Sequence, residues 1–238
     1  MKRLNRIDTR LEIIRAATKM FLEDGFDSTS AARIASSIGI STGNLTFHFP
    51  KKEHLLVEAV EELCDFQWKI MKQNIGEGES ALMAYCLEIT AIASCCEKNE
   101  KAKSFYSAAY SHPMTLAIIQ KNDTKKAKEV FGQYHPDWNE KKFENMENIV
   151  SGIEFTALFT PGERTPLNER LDYALNAILL LYEIPAGVRE SIINKVLSSD
   201  YASIGKRIFS EFTEYANRVN DEALENAIER NREKQITN

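Results

Sequence analysis

The chain has 238 residues, of which 43% are hydrophobic and 27% charged, a balance that allows a globular core. Its formal net charge of −5 excludes a protein coated throughout by nucleic acid. The charge is uneven, however: residues 1–55 carry nine Lys and Arg against six Asp and Glu, and the remainder is net −8. A basic head on an acidic body directs only the head toward a polyanion. The start, MKRLNRIDTRLEII, lacks a signal-peptide apolar run, and no stretch reaches the roughly eighteen apolar residues of a membrane span. Four cysteines (Cys64, Cys86, Cys95, Cys96) make no disulfide framework, so a cytoplasmic protein without a membrane partner is expected.

Taken in order, the predicted elements are all helical, with the ten glycines and six prolines mostly at breaks and no alternating strand pattern. A first helix over residues 9–24 places Leu11, Ile14, Ala17 and Phe21 on one face. Gly25 follows as a left-handed C′ residue, letting Phe26 fold back on Phe21. A second, over 30–38, opens on the capping run Ser28-Thr29-Ser30 and ends at Gly39. A third covers 41–48, and a fourth 51–74, before a break at Gly76-Glu77-Gly78. Longer helices follow over 79–98, 101–111, 114–134, 139–160 and 167–183. A helix of about fifteen residues after Pro185 and a last one over 203–232 complete the chain, with a stripe of Ile208, Phe212, Tyr215 and Val219. The tail EKQITN is expected to fray.

Two short helices joined by a tight glycine turn, 30–38 and 41–48, fit a helix-turn-helix, whose second helix lies in the DNA major groove. Ile34, Ala35 and Ile38 give a small apolar face for close crossing, and Leu45 points back into the head. The outward Thr42, Gly43, Asn44 and Thr46 are small and polar, so a backbone can approach base edges. Lys52, opening the next helix, can share a phosphate with the helix N-terminal amides.

The window TSAARIASSIGISTGNLTFHFPKKEHLL resembles the DNA-binding head of the tetracycline-repressor (TetR) family of transcriptional regulators. That head reads approximately T-T-x-x-x-I-A-x-x-x-G-V-S-x-G-x-L-Y-x-H-F-x-x-K-x-x-L. It is matched at Thr29, Ile34, Ala35, Gly39, Ser41, Gly43, Leu45, His48, Phe49, Lys52 and Leu55, and conservatively at Ser30 and Ile40. Phe21, Gly25 and Phe26 fit the family's upstream F-x-x-x-G-F. The resemblance covers about the first quarter of the chain. It implies base contacts from Thr42, Gly43 and Thr46, and sugar-phosphate contacts from Ser41, Asn44, Phe47, His48 and Lys52. Thr29 or Ser30 would hold phosphate at the second helix. Two departures stand out. Thr46 replaces the family's tyrosine, so its methyl can meet thymine instead. Lys51 and His54 replace the usual capping residue and acid, a weaker but more basic cap.

The resemblance also implies an all-α fold, with a three-helix head at residues 1–50 joined to a larger ligand-binding and dimerisation domain at 51–238. A homodimer would bind a near-palindromic operator in double-stranded DNA, and a small-molecule effector would alter its affinity. Trp68, Tyr85, Phe105, Tyr106 and Tyr110 either line that effector cavity or pack as plain core. Segments 139–160 and 167–183 are apolar on two faces and need two neighbours, a partner subunit or the last helix. The dimer reading names Val150, Ile153, Phe155, Phe159, Leu175, Ile178, Leu179 and Tyr182 as interface.

His48 sits between phenylalanines with no nucleophile or acid beside it, and His54, His112 and His135 are scattered, so neither catalysis nor a metal site is expected. No cofactor is expected either. Cys95 and Cys96 read as buried thiols, with a thiol sensor as the alternative. A helical enzyme or carrier finds no paired carboxylates, triad or phosphate loop to support it. A DNA-organising protein using the same head without an effector stays open.

Overall fold

The computed structural model describes residues 6–76 and 80–236, and all its regular elements are α-helices. They are α1 (Arg6–Glu23), α2 (Ala31–Ser37), α3 (Thr42–His48), α4 (Lys52–Gly76), α5 (Ala81–Lys98) and α6 (Glu100–Ser111). After these come α7 (Pro113–Phe131), α8 (Glu140–Phe159), α9 (Leu167–Leu181), α10 (Ala186–Leu197) and α11 (Tyr201–Ile236). The break expected at 76–78 falls largely outside the described residues, as do the last two residues of the tail expected to fray.

In the head, α1 closes on Gly25, whose φ of +91° needs no Cβ, and the chain turns so that Phe26 meets Phe21 at 5.1 Å between ring centroids. Ser30 caps α2 by accepting from the Arg33 amide, and Ser41 caps α3 by accepting from the Asn44 amide. Between them Gly39, at φ +70°, makes the turn. Ile34, Ala35, Leu45 and Phe49 are buried in one core with Ile13 and Phe21 of α1, and α3 packs on α2.

In the body, α5 is the central helix. Its apolar residues extend beyond the single stripe of Leu82, Cys86, Ile89, Ala93 and Cys96, and Thr90 through Cys96 are buried without interruption. The reason is its neighbours: it packs against α4, α6 to α8 and α9 to α11. At Gly205 α11 comes so near α5 that a Cβ would sit 2.1 Å from the Ala91 carbonyl oxygen.

The 36-residue α11 runs past α5 and back to α1. There Arg15 pairs with Asp221 at 3.1 Å, and the Asn231 amide donates to Asp8 at 2.7 Å. Its buried stripe is Phe209, Phe212 and Ala216, while Ile208, Tyr215 and Val219 are half-buried beside it. Head and body therefore share one apolar core, from Ile13 and Phe21 through Leu56 and Phe66 to Phe212. Among the described residues no helix is long and apolar enough to cross a membrane.

Candidate functional site

The exposed face of α3 is built by the two turns that hold the helix. Ser41, Thr42, Gly43, Asn44, Thr46 and Phe47 are all exposed, while Leu45 is fully buried beneath them. Ser41 Oγ accepts the Asn44 amide at 3.1 Å, which leaves its own hydroxyl hydrogen to donate outward. Thr46 does the reverse. Its hydroxyl donates to the Gly43 carbonyl at 3.1 Å, so its remaining lone pairs and its methyl are what it can present. Phe47 is 65% exposed, unusual for a phenylalanine, and its ring meets the half-buried His48 edge-on.

Two expected contact residues are turned inward. The buried Thr29 donates its hydroxyl to the Gly25 carbonyl at 2.9 Å, tying down the turn before α2. Ser30, exposed, carries the cap instead. Lys52 extends along the head, not away from it. Its ammonium donates to the carbonyls of Phe26 at 2.9 Å and Thr29 at 3.0 Å, and lies 3.7 Å from the Phe26 ring centroid. Burial pulls its pKa down, opposed by Asp27. Carbonyl oxygens that close two turns are strong acceptors, which is why this lysine serves as an internal strut. The outward base at this corner is Lys51. Its amide donates to His54 Nδ1 at 3.2 Å, so the imidazole does the work of the missing acid in the cap.

Head and body touch at α6. The Asp27 amide donates to Ser104 Oγ at 2.9 Å, and the Ser104 hydroxyl donates to Asp27 Oδ2 at 2.8 Å. Phe26 packs edge-on against His112, the cap residue between α6 and α7. The same helix α6 sends Tyr106 and Tyr110 into the body, where they line an inner cavity between α4, α5, α7 and α8. That space, about 20 Å³, adjoins a cleft of about 400 Å³ between α4, α5 and α11, and Leu63, Gln67, Glu88, Ile92 and Tyr106 line both.

Of the five residues expected at a cavity, Tyr85, Tyr106 and Tyr110 line the inner one. Trp68 instead donates its indole N–H to Asn122 at 2.6 Å outside it. Phe105 is fully buried among Tyr106 and Phe212. Sequence reasoning missed the charges. Lys126, 2% exposed, holds Glu88 at 2.7 Å and Asp123 at 3.3 Å, and donates to Gln67 at 3.3 Å. Burial opposes its charge, but Glu88 and Asp123 keep its pKa above the ordinary lysine range. Glu154 accepts from the Tyr110 hydroxyl at 3.1 Å, and Glu147 from the Tyr182 hydroxyl. Burial, with Asp123 adding, pushes Glu147 up to about 8 and Glu154 well above the carboxylate range. A signal was available: Glu88 is the lone charge in ALMAYCLEITAIASCC, and Glu154 the lone charge from Asn148 to Gly162.

The expected interface residues divide. Val150, Leu175, Ile178, Leu179 and Tyr182 are completely buried within the protomer, the Tyr182 ring stacked 3.8 Å from Phe131. They are core of this chain and have no surface to offer a partner, a correction to the expectation. Their second neighbour is α5 and α10. Ile153 and Phe159 are half-buried and Phe155 is exposed. The apolar side chains facing outward on α8 and α9 are Ile149, Phe155, Tyr173 and Leu180. Arg170 braces this face by donating to the Ala157 and Thr165 carbonyls and pairing with Glu97 at 2.8 Å. His135 is structural, 2.7 Å from the Tyr182 carbonyl oxygen and stacked on Trp138. All four cysteines are buried free thiols, and burial pushes Cys95 up to about 11.

A small-polar helix face on a three-helix scaffold, joined through α6 to a helical body, defines a helix-turn-helix protein. Residues 13–59, the head of the chain, match the model of bacterial regulatory proteins of the tetR family. HTH-type transcriptional regulator LmrA of Bacillus subtilis (strain 168) is 32% identical over 101 residues, 39% of this chain and 52% of the relative. The uncharacterized regulator YuxN of the same strain is 29% identical over 125 residues, 52% of this chain and 42% of the relative. The chain thus spans about half the length of these curated relatives. Two solved structures share the fold: RolR in complex with resorcinol, and Thermus thermophilus FadR in complex with lauroyl-CoA. RolR superposes with a TM-score of 0.62 at 16% identity, over 79% of this chain and 94% of RolR. FadR does so with 0.53 at 17%, over 71% and 93%.

Proposed function

We propose that the chain is a DNA-binding transcriptional regulator, a repressor acting as a homodimer, whose operator affinity is set by a small molecule held in the body. The observation that carries this reading is the outward face of α3. Thr42, Gly43, Asn44 and Thr46 stand clear of the fold above a fully buried Leu45, so the helix is rigidly held yet free to enter a major groove. Functional division of the chain near residue 50 follows, with the head reading DNA and the remainder binding effector and partner. The reading proposed is a binding protein, not an enzyme: among the described residues no nucleophile, base and oxyanion donors gather around a common point.

Dimerisation is supported by the outward apolar residues of α8 and α9, a patch of the kind monomers rarely leave in water. A two-fold dimer presents two recognition helices and calls for a near-palindromic site. Effector response is supported by α6, which carries Tyr106 and Tyr110 at the cavity and Ser104 at the head. A ligand that fits better when α6 is displaced shifts the population toward heads spaced wrongly for adjacent half-sites. RolR and FadR, similar in fold, were solved with small molecules bound, which supports a ligand site in such bodies.

A gel-shift against DNA flanking the chain's own gene tests the reading. The expected result is retention that random DNA does not compete away, and release on adding a cell extract. Retention without release would leave a DNA-organising protein; no specific retention would end the regulatory reading.

A further inference from the structure

The cavity has an unbalanced interior. Glu88, Asp123 and Glu154 all line it, Glu147 lies close by, and Lys126 is the one cation among the lining residues. That ammonium has three hydrogens and three acceptors, Glu88, Asp123 and Gln67, so it has no donor left for a ligand. An incoming anion would face carboxyl groups in the inner, low-dielectric space with no free positive charge, and Arg207 on the adjoining cleft is paired with Glu211 at 3.6 Å. Among the described residues Glu154, at 6% exposure, has no cationic partner at hydrogen-bond distance and is met by the Tyr110 phenol. A second, independent observation comes from Tyr85. Its ring is 4% exposed, it lines the same cavity, and its hydroxyl has no hydrogen-bond partner among the described residues. A buried orphan hydroxyl is destabilising, and a ligand in that space that hydrogen-bonds it removes the cost. Tyrosine faces beside a carboxylate are the surroundings that stabilise an ammonium.

We infer that the effector is an organic cation, an amine carried on an apolar body, with its ammonium at Glu154 among the rings of Tyr85, Tyr106 and Tyr110 and its body along the cleft toward α11. This deepens the proposed regulatory reading and rests on it for the word effector. Burial, aided by Asp123 and Glu147, favours the protonated Glu154 carboxyl; an arriving ammonium supplies a counter-charge. The cleft of about 400 Å³ accommodates a body of small-drug size. The inner space, about 20 Å³ as it stands, must open by rotation of the tyrosines to admit the ammonium.

The test uses three probes with one body and different heads: 4-phenylbutylamine, 4-phenylbutanol and 4-phenylbutanoate. Thermal shift and calorimetry on the full chain, without DNA, read binding separately from the head's function, so either proposal can fail alone. The amine is expected to raise the melting temperature and bind at least about tenfold more tightly than the alcohol, with no binding of the carboxylate. Glu154→Gln is expected to lose about tenfold for the amine and nothing for the alcohol. Its melting temperature without ligand should not fall, which separates lost binding from lost folding. Equal or tighter binding of the alcohol or carboxylate, absence of amine binding, or full amine affinity in Glu154→Gln would each overturn the inference.

Discussion

Gly43 stands on the outer face of α3 with nothing nearer a would-be Cβ than Ser41 Oγ at 3.9 Å. The fold has no need of a glycine here, and alanine favours a helix by about 1 kcal/mol. Gly43→Ala should therefore melt at the same temperature or higher, yet lose DNA affinity about tenfold or more, measured by fluorescence anisotropy. Undiminished affinity would remove α3 from the interface. Lys52 invites the opposite experiment. Lys52→Met frees two carbonyls and should lower stability by about 1–2 kcal/mol. Affinity should fall on all sequences, but the slope of log K against log salt should stay unchanged; a lysine bound to phosphate would reduce it by about one. The exposed face of α3 was legible in the letters because side-chain size and helical spacing alone place it. The inward turn of Lys52 was not, because a long side chain can reach either phosphate or carbonyl from one backbone position.

At the scale of elements, α9 ends in a Schellman turn, with the Ile184 amide donating to the Leu179 carbonyl and the Glu183 amide to Leu180. Glu183 occupies its left-handed position at φ +48°, where a Cβ is penalised. Glu183→Gly should raise stability by about 1 kcal/mol, read as a higher melting temperature. A lower one would mean that Glu183 has contacts beyond its backbone. Helix existence and order were readable throughout, since glycine and proline punctuate the periodic segments. Boundaries were less so: α7 stops at Phe131, because the following turn carries His135 in to the Tyr182 carbonyl, a long-range contact invisible to local pattern. The two-faced apolarity of α8 and α9 asks for two neighbours, read from the sequence as a partner subunit or the last helix, and within the chain both helices pack on α5. Spacing could not say that α5 meets one face, which leaves Ile149, Phe155, Tyr173 and Leu180 outside. Leu180→Glu should accordingly shift a dimer toward monomer in sedimentation, with the helical signal unchanged. A dimer as tight as the wild type would move the interface elsewhere.

For the whole molecule, α11 joins head to body and brings a buried carboxyl with it. Glu62 on α4 accepts from the Asn220 amide of α11 at 2.8 Å, its second oxygen is buried with no hydrogen-bond partner among the described residues, and burial pushes its pKa up to about 7. The folded chain thus holds this proton more tightly than the unfolded chain, so stability falls as pH rises from the ordinary carboxylate range to about 7. Glu62→Gln should be more stable than the wild type by about 1–2 kcal/mol near pH 8, with the difference shrinking toward pH 5. A constant difference would mean that Glu62 does not titrate in this interval. The central claim remains that two copies of this head read a symmetric DNA site through α3. Hydroxyl-radical footprinting of the wild-type protein on the DNA beside its own gene tests it most directly. The account predicts two protected patches related by two-fold symmetry, one major-groove face each; uniform protection, or none at concentrations that retain random DNA, would contradict it.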